Sequence, residues 1–197
     1  IDVIESFKHL KPKLIHTTPS NHYPLGVKMS LKRRKEILKW ATNNNSIIIE
    51  NDYENEIGNS LNRLPAIFSL DKEDRTIYMG TFNRLLHPSI RLGFMIVPNF
   101  LINTVKALQE HSHRFVAPSI QVVMNQFIEK NYLYQHLKNV IQVAQERHSL
   151  FITEFEKDNT FMSITNKEFG SLHVVAKFNS FISKRKKQEL LEKLASY

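Results

Sequence analysis

Two arginines seven residues apart, Arg84 and Arg91, follow the run Gly80-Thr81-Phe82-Asn83 in a chain otherwise poor in reactive groups. Guanidinium groups stay protonated and present planar sets of N–H donors, so they suit phosphates and carboxylates better than proton transfer. Thr81 and Asn83 add a hydroxyl and an amide. These residue types together predict recognition of a small anion. A second reading makes the arginines structural ties to backbone carbonyls or to Glu50, Glu54 and Glu56, because an arginine taken out of water needs partners whatever its function.

Other chemistries find less support. There are no cysteines, which excludes thiol nucleophiles, thiolate metal sites and a disulfide framework. Among the nine histidines, His111 and His113 are too closely spaced for one helical face and have no carboxylate at ligand spacing, so no metal site is expected. His173, inside S-L-H-V-V, reads as a packed, hydrogen-bonded side chain. No G-x-S-x-G, H-E-x-x-H or Walker-type loop occurs, and five glycines leave little for a phosphate cradle.

The elements that would position the arginines can be read from the hydrophobic pattern. Residues 13–18 predict a strand, followed by the polar, proline-containing loop 19–26. Ser30 should cap a helix that turns Leu31, Ile37, Leu38 and Ala41 to the core and ends at the asparagines 43–45. The three isoleucines within 46–51 suggest a second strand buried on both faces, as in a parallel sheet. An irregular stretch with Gly58 and Pro65 precedes a third strand at 76–80, and a fourth is expected at 92–97. Such strand–helix alternation argues for an open α/β layer fold, whose ligands lie at the carboxyl ends of the strands. That rule places Asn51, Asp52 and Tyr53 beside residues 80–84.

The remainder is mostly helical in pattern: 99–110, 118–130 and a long amphipathic run at 132–157. A strand at 171–178 and a basic helix from about residue 183 complete it. A soft boundary near residue 140 divides the chain into units 1–140 and 141–197.

A length of 197 residues with 42% hydrophobic and 23% charged composition is enough for a sizeable core. No run of 18 or more apolar residues and no signal-peptide pattern occurs, so a soluble cytoplasmic protein without membrane contact is expected. The opening lacks methionine and soon enters the apolar pair Leu14-Ile15, which reads as part of something longer. The formal charge of +8 raises nucleic-acid binding as a class, but the two densest runs, at 32–35 and 184–187, sit in helical patterns and read as solvated faces.

Four junctions occur in order: T-P-S-N-H-Y-P-L-G at 18–26, I-I-I-E-N-D-Y-E-N-E at 47–56, I-Y-M-G-T-F-N-R with R-L-G at 91–93, and G-S-L-H-V-V at 170–175. In this order and spacing they resemble the aminotransferase-like domain of the MocR/GabR-type regulators of the GntR family, from about Leu14 to Phe178. The resemblance implies an aminotransferase fold of type I: a mostly parallel sheet flanked by helices, forming part of the large domain, plus the start of a smaller α+β domain. It also implies pyridoxal 5'-phosphate as cofactor, a homodimer, and DNA binding through an N-terminal winged-helix domain outside this chain.

By the same resemblance the cofactor-binding positions are Asn51, Tyr53, Thr81, Asn83, Arg84 and Arg91. The family's G-T-F-S-K pattern carries the Schiff-base lysine, and Arg84 stands at that position. Its first aspartate in I-I-E-D-D-Y holds the pyridine nitrogen protonated, and Asn51 stands there. Tyr53 matches the tyrosine at the phenolic oxygen, Thr81 a hydroxyl near the phosphate, and Arg91 the phosphate-binding arginine. Asp52, one residue along the strand, should point to the opposite face from Asn51 and Tyr53. No ordinary catalytic residue is therefore assigned. The expectation is an effector-sensing domain with impaired transaminase chemistry that takes a small anion or noncovalent cofactor; the alternative is an aminotransferase acting on an amino acid.

Overall fold

The computed structural model describes residues 2–54, 56–57, 64–84, 86–112, 116–158 and 160–195. Gly58 and His113, both weighed above, lie outside the described residues. After a short helix α1 (Asp2–Ser6), the sheet strands are β1 (Leu14–Thr17), β2 (Ile47–Asn51), β3 (Thr76–Thr81) and β4 (Gly93–Ile96), in the spatial order 1-2-3-4. The first two pairings are parallel and β3–β4 is antiparallel.

Helix α2 (Leu31–Asn43) connects β1 to β2, and α3 (Ile67–Leu70) lies between β2 and β3. Ser30 caps α2 as predicted, with extended backbone and its Oγ accepting from Arg33 N at 3.4 Å. Along α2 the buried residues are Arg34, Ile37, Trp40 and Ala41, a spacing that keeps them on one stripe. Ile37 and Ala41 meet Ile48 and Ile67 in the core, while Leu38 is only partly buried against it. Fully burying an isoleucine such as Ile48 contributes about 1.5–3 kcal/mol, so this small cluster anchors the sheet to its helices.

Alternation along β2 puts Ile48 and Glu50 on the fully buried face and Ile47, Ile49 and Asn51 on a partly exposed one. The expectation of equal burial on both faces is thus met on one face only. On the buried face Glu50 takes a core-facing position, and its two oxygens accept from Ile67 N and Phe68 N, both at 2.8 Å, at the start of α3. Burial raises the Glu50 pKa, and those two N–H groups and Arg34 oppose the rise.

Arg34 corrects the reading of residues 32–35 as a wholly solvated face. It is 1% exposed, and its guanidinium donates to Met29 O, Pro65 O and Pro19 O at 2.9 to 3.0 Å. The backbone at residues 19, 29 and 65 is thereby fixed around one side chain. Burial lowers its pKa, and Glu50 and Asp52 push it back up.

The second half contains α4 (Ile102–His111), α5 (Pro118–Glu129), α6 (Tyr132–Asp158) and α7 (Lys184–Ala195). The turn Asn99–Leu101 ahead of α4 is a 3-10 turn rather than the first turn of the α-helix. The predicted strand at 171–178 shortens to β6 (Ala176–Phe178), antiparallel to β5 (Met162–Ile164). Val175 O still accepts from Thr165 N at 2.9 Å, whereas Ser171 and His173 are engaged outside this pairing. Among the described residues no helix is long and apolar enough to cross a membrane.

Candidate functional site

Three loops meet at the carboxyl ends of β1, β2 and β3. The loop after β1 is held by Arg34 at Pro19 and closed by a bridge between His22 and Val27. It delivers Asn21, whose backbone carbonyl accepts from Tyr53 Oη at 2.9 Å. Asn51 and Thr81 fall on the same sheet face by register, since Asn51 pairs with Met79 on β3. Asp52 lies on the opposite, buried face, where it accepts from Tyr78 Oη at 3.2 Å. The separation predicted for Asn51 and Asp52 is the one the sheet adopts.

The loop between β3 and β4 is shaped by two side chains from the predicted set. Thr81 Oγ1 accepts from Asn83 N at 3.2 Å and approaches Leu92 O at 3.4 Å. Asn83 Oδ1 accepts from Leu92 N at 3.0 Å, so this amide spans the loop and fixes the residue beside Arg91. Gly80 answers to packing: the Phe94 ring of the neighbouring strand occupies the space a Cβ would need.

The two arginines have different surroundings. Arg91 sits in a left-handed conformation (φ 52°) at the end of the 3-10 turn Pro88–Ile90, exposed, and no ion pair or hydrogen bond engages its guanidinium among the described residues. Arg84 Nη1 lies 3.1 Å from Glu54 Oε1, and its guanidinium carbon is 5.5 Å from the centre of the Tyr53 ring. Of the three carboxylates considered as structural partners, Glu54 is the one Arg84 takes. Burial raises the Tyr53 pKa; Glu54 adds to the rise and Arg84 counters it.

Glu54 ties a further segment into the site. Its side chain is fully buried, and Oε2 accepts from Asn21 Nδ2 and from Ser171 Oγ, the latter at 2.8 Å. Ser171 Oγ also lies 2.7 Å from His173 Nδ1, and the His173 ring meets the Tyr23 ring edge-on at 5.5 Å. His173 is therefore packed and hydrogen-bonded, as its sequence context suggested. Asn21, Glu54 and Ser171 were not among the predicted site residues. Their signal was the three quoted junctions that contain them, but only the fold shows that these junctions meet.

The unengaged, exposed guanidinium of Arg91 is of the kind that takes an anion, and Asn51 and Thr81 share one sheet face. Among the described residues no group of three or more histidines and carboxylates is arranged to hold a metal ion.

No family model matches the chain. An uncharacterized HTH-type transcriptional regulator of Bacillus subtilis, YhdI, is 35% identical over 166 residues, 83% of this chain and 35% of that protein. The probable rhizopine catabolism regulatory protein MocR of Rhizobium meliloti is 30% identical over 85% of this chain and 34% of its own length. Over most of its length the chain is similar to part of the MocR-type transcriptional regulators. Its fold is that of the type I aminotransferases: the Pyrococcus horikoshii kynurenine aminotransferase, solved in complex with PMP, superposes with a TM-score of 0.84 at 27% identity. That match covers 98% of this chain and 49% of the aminotransferase. The chain thus spans about a third of the length of these MocR-type relatives and about half of the solved one.

Proposed function

We propose that this chain is the effector-sensing, aminotransferase-like part of a MocR-type transcriptional regulator, that it binds a small anionic ligand without a covalent bond, and that it lacks ordinary transaminase chemistry. The observation that carries this reading is the state of Arg84. It stands at the position matched to the Schiff-base lysine and is paired to a buried carboxylate. A guanidinium does not shed its proton to become a nucleophile, and no lysine lies between Lys72 and Lys106.

Pyridoxal phosphate is the ligand favoured by resemblance, and when bound it supplies an electron-accepting ring. In this reading Arg91 and Thr81 hold its phosphate, Tyr53 meets its phenolic oxygen, Asn83 shapes the phosphate loop, and Asn51 faces the pyridine nitrogen. A neutral amide at Asn51 leaves that nitrogen without a counter-charge, so the ring would be a weak electron sink. Arg84 adds positive charge beside it. The reading also includes a division near residue 140, within α6, between a large-domain part (1–140) and the start of a small domain (141–197), homodimer formation, a cytoplasmic location, and DNA binding by an N-terminal domain outside this chain.

The resemblance to aminotransferases favours a second reading, an active enzyme on an amino acid, which requires an amine from elsewhere to replace the lysine. One experiment separates the two. Pyridoxal phosphate is added to the protein, the mixture is reduced with borohydride, and the intact mass is measured with and without reduction. Saturable binding without a site-specific mass increase supports the sensing role. A stoichiometric, reduction-fixed adduct in the site overturns it.

A further inference from the structure

The proposed anion pocket already contains an anion. Glu54 is fully buried, yet its two oxygens do different things: Oε2 is fastened to Asn21 and Ser171, while Oε1 faces Arg84 at 3.1 Å. The Arg84 side chain is 42% exposed and Glu54 is 0% exposed. The pair is therefore asymmetric, with one partner anchored in the protein and the other able to swing toward solvent.

Resting on the anion-pocket reading, we propose that Glu54 is a built-in competitor for Arg84, which a carboxylate of the incoming ligand displaces while Arg91 holds the ligand's phosphate. Three observations lead there. A carboxylate is the group already paired with Arg84, through one N–O contact of 3.1 Å, so a carboxylate fits within ion-pair distance of the guanidinium at the site. Arg91 has no partner among the described residues and is free for a separate anionic group. Glu54 cannot follow Arg84 outward, because Asn21 and Ser171 hold its other oxygen. The ligand class is accordingly a phosphate ester that also carries a carboxylate, and the cost of uncovering Glu54 sets the affinity. Ser171 belongs to the loop before β6, so the exchange is felt in the second half of the chain as well.

The test compares two probes by calorimetry. One is N-methylpyridoxamine 5'-phosphate, which has a phosphate and a secondary amine but no carboxylate and no aldehyde; the other is N-(5'-phosphopyridoxyl)glycine, which adds a carboxylate to the same amine. Glu54→Gln keeps the shape and an acceptor for Asn21 and Ser171 but removes the charge. It is expected to tighten the carboxylate-bearing probe about fivefold, the scale of releasing one partly exposed ion pair, and to change the other by less than about twofold. The gain should vanish in Glu54→Gln/Arg84→Gln. Equal tightening of both probes, no tightening, or a gain that persists without Arg84 overturns the proposal while leaving the anion pocket standing. Failure of both probes to bind any variant overturns the pocket and the proposal together.

A measurement on the unaltered protein does not depend on the variant folding. The Arg84 Nε–H resonance, assigned by its loss in Arg84→Lys, should move on adding the carboxylate-bearing probe and not on adding the other. Movement of the Arg91 signal alone with both probes overturns the exchange.

Discussion

Arg84 and Glu54 form an ion pair at 3.1 Å across the mouth of the sheet, with the guanidinium beside the Tyr53 ring. Arg84, which the proposed function places at the Schiff-base position, is thus held by a neighbouring loop, and the chemistry available there follows from what that loop contributes. Arg84→Lys puts an amine at the same place. Incubation with pyridoxal phosphate and borohydride should give a fixed mass increase in this variant, and a larger yield in Arg84→Lys/Asn51→Asp, with none at this site in the unaltered protein. Absence of any adduct in both variants means that the pocket does not bring the aldehyde to residue 84.

Arg91→Ala separates binding from folding. The side chain is exposed and has no partner among the described residues, so the denaturation midpoint should correspond to a change below about 0.5 kcal/mol. Losing a charge-assisted phosphate contact should weaken 4'-deoxypyridoxine 5'-phosphate by about 1.5–3 kcal/mol, read by calorimetry. A stability loss with unchanged binding would return Arg91 to a structural role.

Arg34→Lys should show the opposite pattern in part. A single ammonium cannot reach the three carbonyls of Met29, Pro65 and Pro19, and the buried neighbours Glu50 and Asp52 lose a delocalised counter-charge. A loss of roughly 3 kcal/mol is expected in urea unfolding. Because Pro19 opens the loop carrying Asn21, binding should weaken too.

Gly80→Ala drives a methyl into the Phe94 ring and should cost about 1–3 kcal/mol. Combining it with Phe94→Leu, which removes the ring, should recover part of that loss in a double-mutant cycle on thermal unfolding. Additive costs would show that the two residues do not meet.

Alkaline pH should weaken the fold through Tyr78. Its pKa is raised from 10.0 by burial and by Asp52, so the folded state keeps a proton that the unfolded chain releases. That contribution is fully present below the unfolded value of 10.0 and is lost as pH climbs above it. Urea midpoints from about pH 9 to about pH 11 should fall less steeply in Tyr78→Phe than in the unaltered protein.

Much of the fold was legible because local rules and tertiary structure agreed. Ser30 before an apolar stripe caps α2, the isoleucines of β2 form a strand, and alternation separates Asp52 from Asn51. The cases that failed share one cause. Arg34 has the sequence context of a surface charge, and only the convergence of Met29, Pro65 and Pro19 makes it a buried clamp. Ser171 and His173 have strand composition, and Ser171 is instead bonded to Asn21 and Glu54, both more than a hundred residues earlier.

The sequence by itself determined the residue types at the strand ends, the guanidinium at position 84, the neutral amide at position 51 and the family resemblance, since each is a property of residues near one another in the chain. Tertiary structure decided which charges meet. It joined Arg84 to Glu54, left Arg91 unengaged among the described residues, and brought Asn21 and Ser171 onto one carboxylate. Pairings of this kind depend on loops closed over long sequence separations, and the strength of each charge depends on its burial, so neither can be read from local pattern.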